Sequence, residues 1–89
     1  MSDTNKKLKI EKACEAALEK FQKIGLEKFE DIQSKLEYVL GSYRFDSNPV
    51  GLYEIGDLAL KSLKKYKKDK PKAVAQKLID DLEKALKEK

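Results

Sequence analysis

Carboxylates are the first residues in this chain whose spacing could support chemistry. Glu27, Glu30 and Asp31 fall on one face if their segment is helical, the placement that an acid pair or an oxygen-ligand site would need. Acidic residues also favour the first turn of a helix, and Asp31 stands four residues before Lys35, so the expected state of the trio is a solvated, ion-paired surface. Cys14 is the single cysteine; it recurs with Ile10, Ala17 and Phe21 at helical spacing and should pack as a small hydrophobe. Histidine is absent, which removes the usual proton shuttle near neutral pH and the base partner of a serine or cysteine nucleophile. Glycines 25, 41, 51 and 56 form neither a phosphate-cradling loop nor a dinucleotide fingerprint. The expectation is therefore a non-enzyme with no metal, no cofactor and no small-molecule substrate.

Lysine offers a different kind of chemistry. The run KSLKKYKKDKPK, residues 61 to 72, sets Lys61, Lys65, Lys68 and Lys72 on one face with Tyr66 nearby as a stacking group. A phosphate backbone could bind there, giving weak, sequence-nonspecific capture of nucleic acid or another polyanion. Formal charge runs from +2 over residues 1–25 through −4 over 26–60 to +6 over 61–89, for a net +4. Arg44 is the only arginine, so little base reading is expected.

A third candidate is the stretch SYRFDSNPVGLYE, residues 42 to 54, which holds three of the seven aromatic residues. Tyr43, Arg44, Phe45, Asn48, Tyr53 and Glu54 make a candidate recognition patch, because tyrosine, arginine and phenylalanine are enriched at protein interfaces. The competing reading is a corner between two helices, in which Phe45 and Leu52 close the end of the core and Arg44 faces the negative end of a helix dipole. A protein interaction module is the expected function, with a protein partner or self-association ahead of nucleic acid, and no membrane.

The elements that must position these residues follow from hydrophobic period. A chain of 89 residues leaves room for one domain, and its 40% charged and 40% hydrophobic residues are ordered rather than mixed. Ile10, Cys14, Ala17, Leu18, Phe21 and Ile24 recur at 3.6-residue spacing, as do Phe29, Ile32, Leu36, Val39, Leu40 and Tyr43. Leu52, Gly56, Ala59, Leu60, Leu63 and Tyr66 make a third stripe, and Val74, Ala75, Leu78, Ile79, Leu82, Ala85 and Leu86 a fourth. The fold class predicted is all-α, an antiparallel up-down four-helix bundle with helices over 6–23, 27–45, 49–67 and 70–87 after a disordered lead of 1–5.

Three local signals set those limits. Gly25 caps the first helix, Asn48 caps the third with Pro49 at its first position, and Asp69 caps the fourth with Pro71 in its first turn. Lys84, Lys87 and Lys89 suit the closing end of the last helix. The alternative is a continuous helix from Lys6 to Phe45, about 60 Å long at 1.5 Å per residue, in a three-helix chain that must dimerise to cover it. Gly41 and Gly56, inside helices, point to a close approach of the second and third helices. The longest apolar runs are three residues, and the start lacks the apolar stretch of a signal peptide, so the expected location is cytoplasmic.

Overall fold

The computed structural model describes residues 3–87. Helices α1 (Asp3–Ile24), α2 (Glu30–Asp46), α3 (Val50–Asp69) and α4 (Gln76–Lys87) form an antiparallel up-down bundle, with a 3-10 turn over Glu27–Phe29 and no strand among the described residues. The first helix starts three residues before its expected limit, while Met1 and Ser2 of the expected disordered lead, and Lys89, lie outside the described residues.

Gly25 decides between the two architectures. Its φ of 67° is left-handed, and its amide donates to the Phe21 carbonyl at 3.0 Å, so α1 ends there and the continuous-helix alternative is excluded. The Gln33 amide reaches the same carbonyl at 3.4 Å. Phe29 then turns inward, with its ring centroid 4.7 Å from that of Phe21 and 5.5 Å, edge-on, from that of Tyr66, and so plugs this end of the core.

The corner between α2 and α3 is made by side chains bonding to nearby backbone. Ser47 takes a φ of 60° and donates its amide to Tyr43, Asp46 accepts from the Asn48 amide at 2.9 Å, and Asn48 accepts from the Val50 amide at 3.2 Å. The N-cap position of α3 is therefore Pro49, whose carbonyl accepts from the Tyr53 amide at 3.1 Å, which corrects the expected Asn48 cap; Asn48 stands one residue earlier and its side chain holds the Val50 amide from there. Leu52 is fully buried, but Phe45 is 93% exposed and closes nothing, because it leaves α2 on the side opposite Leu36 and Leu40.

The expected start of the fourth helix at residue 70 is corrected to Gln76. Asp69 is the last residue of α3, not a cap for α4, and Lys70 leaves helical dihedrals with φ −134° and ψ 79°. Pro71 ends α3, because it disfavours helix in the residue before it, and residues 71–75 then turn before α4 begins. Lys67 then stabilises the turn by donating to the carbonyls of Pro71 at 3.1 Å and Val74 at 3.0 Å.

Helices α1 and α3 each pack against the other three, so they form the inner diagonal while α2 and α4 flank them. Extents of 37 × 24 × 16 Å reflect this flattened cross-section. The diagonal is close because Gly56 lies on it: a Cβ there would stand 3.4 Å from Cys14 Sγ and Leu86 and 3.5 Å from Ile10. Gly56 thus admits α1 and α4, not α2, and Gly41 has no neighbour within 4 Å, which corrects the expected glycine contact between α2 and α3. Gly51 makes that contact instead: a Cβ there would stand 3.1 Å from Val39. No polar or charged side chain is buried among the described residues, and none of their helices is long and apolar enough to cross a membrane.

Candidate functional site

The expected interaction patch is divided among three directions. Tyr43 is half-buried against the core, and burial with the nearby Glu11 charge raises its phenol pKa. Arg44 turns to α1, where Nε donates to Glu11 at 3.1 Å and a terminal nitrogen to Glu15; these bonds raise the guanidinium pKa above its ordinary value. Asn48 is committed to the corner, and Tyr53 packs on the core. Glu54 and Phe45 remain at the surface, Glu54 in the grooves beside α3 and Phe45 on the outer side of α2. Consecutive helical residues point about 100° apart, so a run such as Tyr43-Arg44-Phe45 cannot share one face.

The lysine face is regrouped rather than dissolved. Lys61 and Lys65 leave α3 toward α2, where they meet Lys28 of the 3-10 turn and Lys35 of α2 around a groove of about 420 Å³. Ile32, Phe29, Tyr66 and Leu58 supply the apolar lining, and Asp31 and Asp69 its carboxylates. Lys68 instead borders the hollow beside the α3–α4 turn with Lys64 and Lys67, and Lys72 is exposed within that turn.

Electrostatics within the groove are uneven. Lys35 pairs with Asp31 at 3.1 Å and Lys61 with Asp57 at 3.1 Å, both as i, i+4 pairs. Lys28 and Lys65 hold no carboxylate among the described residues; the Lys28 ammonium lies 5.3 Å from the centre of the Phe29 ring and 5.4 Å from that of Tyr66. Tyr66 is 9% exposed and Phe29 6%, which counts against the expected stacking role of Tyr66: its ring is packed edge-on with Phe29 and covered by Lys28.

The remaining sequence candidates take quieter places. Asp31 pairs with Lys35 as expected of a solvated carboxylate. Cys14 is buried, its thiol donates weakly to the Leu52 carbonyl at 3.5 Å, and burial pushes its pKa from 9.0 up to about 12, so it carries no thiolate at neutral pH. Glu83 of α4 is held below its ordinary pKa by the Lys64 ammonium of α3, 2.7 Å away. A second groove, between α1 and α4, carries Lys9, Lys12 and Lys84 with Asp81 over Ala13 and Ala16, and has no aromatic lining.

Sequence reasoning missed Lys28, Lys35, Leu58 and Tyr38. Of the first two, only Lys35 carried a signal, its i, i+4 spacing from Asp31; Lys28 reaches the groove from the 3-10 turn before α2, which no helical period marks. Tyr38 and Phe45 are seven apart, on the face of α2 opposite its buried residues. Comparison with protein-family models, with curated proteins and with solved structures gives no match.

Proposed function

We propose that this chain is a non-enzymatic, cytoplasmic protein-interaction module whose α2–α3 groove takes an acidic amphipathic segment of a partner protein. The observation that carries the reading is the convergence of Lys28, Lys35, Lys61 and Lys65, from the 3-10 turn, α2 and α3, around an apolar floor. Carboxylates at both edges of a short helix match the lysine rims, and an apolar residue between them meets Ile32 and Leu58, the latter 43% exposed. From Lys28 to Lys35 is about 10 Å at 1.5 Å per residue, so two turns of a bound helix suffice. Nucleic acid fits less well, because the two rings that would stack on bases are buried and the one arginine is engaged by Glu11 and Glu15.

The test uses a fluorescent two-to-three-turn peptide of Glu and Leu with its leucines on one face, a scrambled peptide of the same composition, and a single-stranded oligonucleotide of similar charge. Anisotropy should show the amphipathic peptide binding best. Lys28→Gln with Lys65→Gln should weaken it about 2- to 30-fold, the range expected for two exposed ion pairs of about 0.2 to 1 kcal/mol each. Lys12→Gln with Lys84→Gln, on the opposite groove, should leave it unchanged. Equal loss from both pairs, or tighter binding of the oligonucleotide, refutes the reading.

A further inference from the structure

The outer face of α2 is occupied by residues the groove does not use. Ser34, Tyr38, Gly41 and Phe45 follow each other at spacings of four, three and four, which places them in one stripe along the helix, opposite the buried Ile32, Leu36 and Leu40. Tyr38 is 77% exposed and Phe45 93%, the two most exposed large hydrophobic residues among those described. Between them, no atom comes within 4 Å of where a Gly41 Cβ would sit. The stripe thus alternates small, large, small, large.

We infer that this stripe pairs with the same stripe of a second copy, antiparallel, about a two-fold axis passing between positions 39 and 40. Reversing the order small, large, small, large gives its complement, so Tyr38 lies over Gly41 of the second copy and Phe45 over Ser34. A parallel pairing sets tyrosine against tyrosine and glycine against glycine, which leaves both a clash and a void. The same antiparallel register brings Lys35 within about two residues, roughly 3 Å along the axis, of the level of Asp46 in the second copy, on the same flank. Matched shape and this charge pair select a second copy over an unrelated partner, since an isologous contact needs a surface that complements itself.

The stripe is short. The eleven steps from Ser34 to Phe45 span about 16 Å, with two aromatic anchors per copy, a contact well short of the roughly 1,600 Å² buried in a standard stable interface. The dimer is therefore a weak, transient one.

Sedimentation velocity on the full chain from about 10 µM to 1 mM at physiological salt tests this, bracketing the weak regime. The expected result is a concentration-dependent shift from monomer to dimer and no further. Phe45→Glu should abolish it over that range. Gly41→Gln keeps both aromatics and replaces an exposed helical glycine with a good helix former, yet should weaken the dimer at least about 10-fold by blocking Tyr38. Ser34→Gln, opposite Phe45, should do the same, and circular dichroism checks that each variant keeps its helices. A monomer throughout, growth beyond the dimer, or wild-type association in both glutamine variants overturns the inference. Lys28→Gln with Lys65→Gln should leave the dimer intact, so this result is independent of the groove.

Discussion

Replacing Gly56 tests the packing on which both surfaces rest, because it fixes how near α1 comes to α3. The nearest side-chain atoms to a Cβ there stand at 3.4 to 3.5 Å, at the near edge of ordinary contact. Gly56→Ala therefore places its methyl without displacing Cys14, Leu86 or Ile10, and removes the helix penalty of glycine, about 0.5 to 1 kcal/mol. Gly56→Leu adds three further carbons with those same atoms already in contact, so α1 must move away, at about 1 to 3 kcal/mol or more. At roughly 4 to 8 °C per kcal/mol for a domain of this size, Tm should rise by about 2 to 8 °C for alanine and fall by about 4 to 24 °C for leucine. Thermal and urea unfolding followed by circular dichroism at 222 nm reads both, with Gly41→Ala, which meets nothing, as the control for propensity alone. A leucine variant as stable as wild type would refute the close diagonal; so would an alanine variant as damaged as the leucine one.

Two further outcomes follow from the charges and the thiol. Because the folded pKa of Cys14 is raised from 9.0 to about 12, its contribution to stability is full below pH 9.0 and is lost as pH rises toward 12. Between pH 8 and 11 the wild type should lose about 2 to 3 kcal/mol more than Cys14→Ala, at about 1.4 kcal/mol per pH unit, and parallel urea-midpoint profiles would count against this. Arg44→Ala should leave the helices in place and lower the urea midpoint at low salt but not at about 1 M NaCl, where charges are screened beyond roughly 3 Å. A salt-independent loss would mean that Arg44 acts through packing rather than through Glu11 and Glu15.

The bundle was legible in the sequence because a helix that buries one face repeats its apolar residues every 3.6 positions, and all four stripes point into one core except at Ala75, which is exposed just before α4. Gly25 was the ambiguous element: the stripes on either side of it nearly share a phase, and the break made by its left-handed dihedral, the extended Leu26 and the 3-10 turn has no other mark in the sequence. That no helix runs through Lys70 was available in principle, since Pro71 disfavours helix there, but an apparent Asp69 cap outweighed that rule; the turn over residues 71–75 had no such mark. The surfaces were less legible for a geometric reason. Residues 43 to 45 are adjacent in sequence yet point to core, α1 and solvent, whereas Lys28 and Lys65 are distant in sequence yet line one groove. Which flank of α3 meets α2, and which meets α4, depends on the order of packing, which no local pattern encodes.

That order of packing also explains why both proposed surfaces fall on α2. With α1 and α3 on the inner diagonal, each loses surface to three neighbours, while α2 packs chiefly on those two and buries only Ile32, Leu36 and Leu40 along its length. Its α3 flank is left as a groove and its outer side as a free stripe. Helix α4 is also a flank, but it has 12 residues against 17, and Lys64–Glu83 ties its edge to α3. Aromatic residues on a solvent-facing side add nothing to a monomer of this size, whose whole stability is about 5 to 10 kcal/mol, so Phe45→Ser should leave unfolding within about 0.5 kcal/mol of wild type. If that substitution instead destabilised the isolated chain at micromolar concentration, Phe45 would have a place in the core, and the outer face of α2 would lose its claim to a binding role.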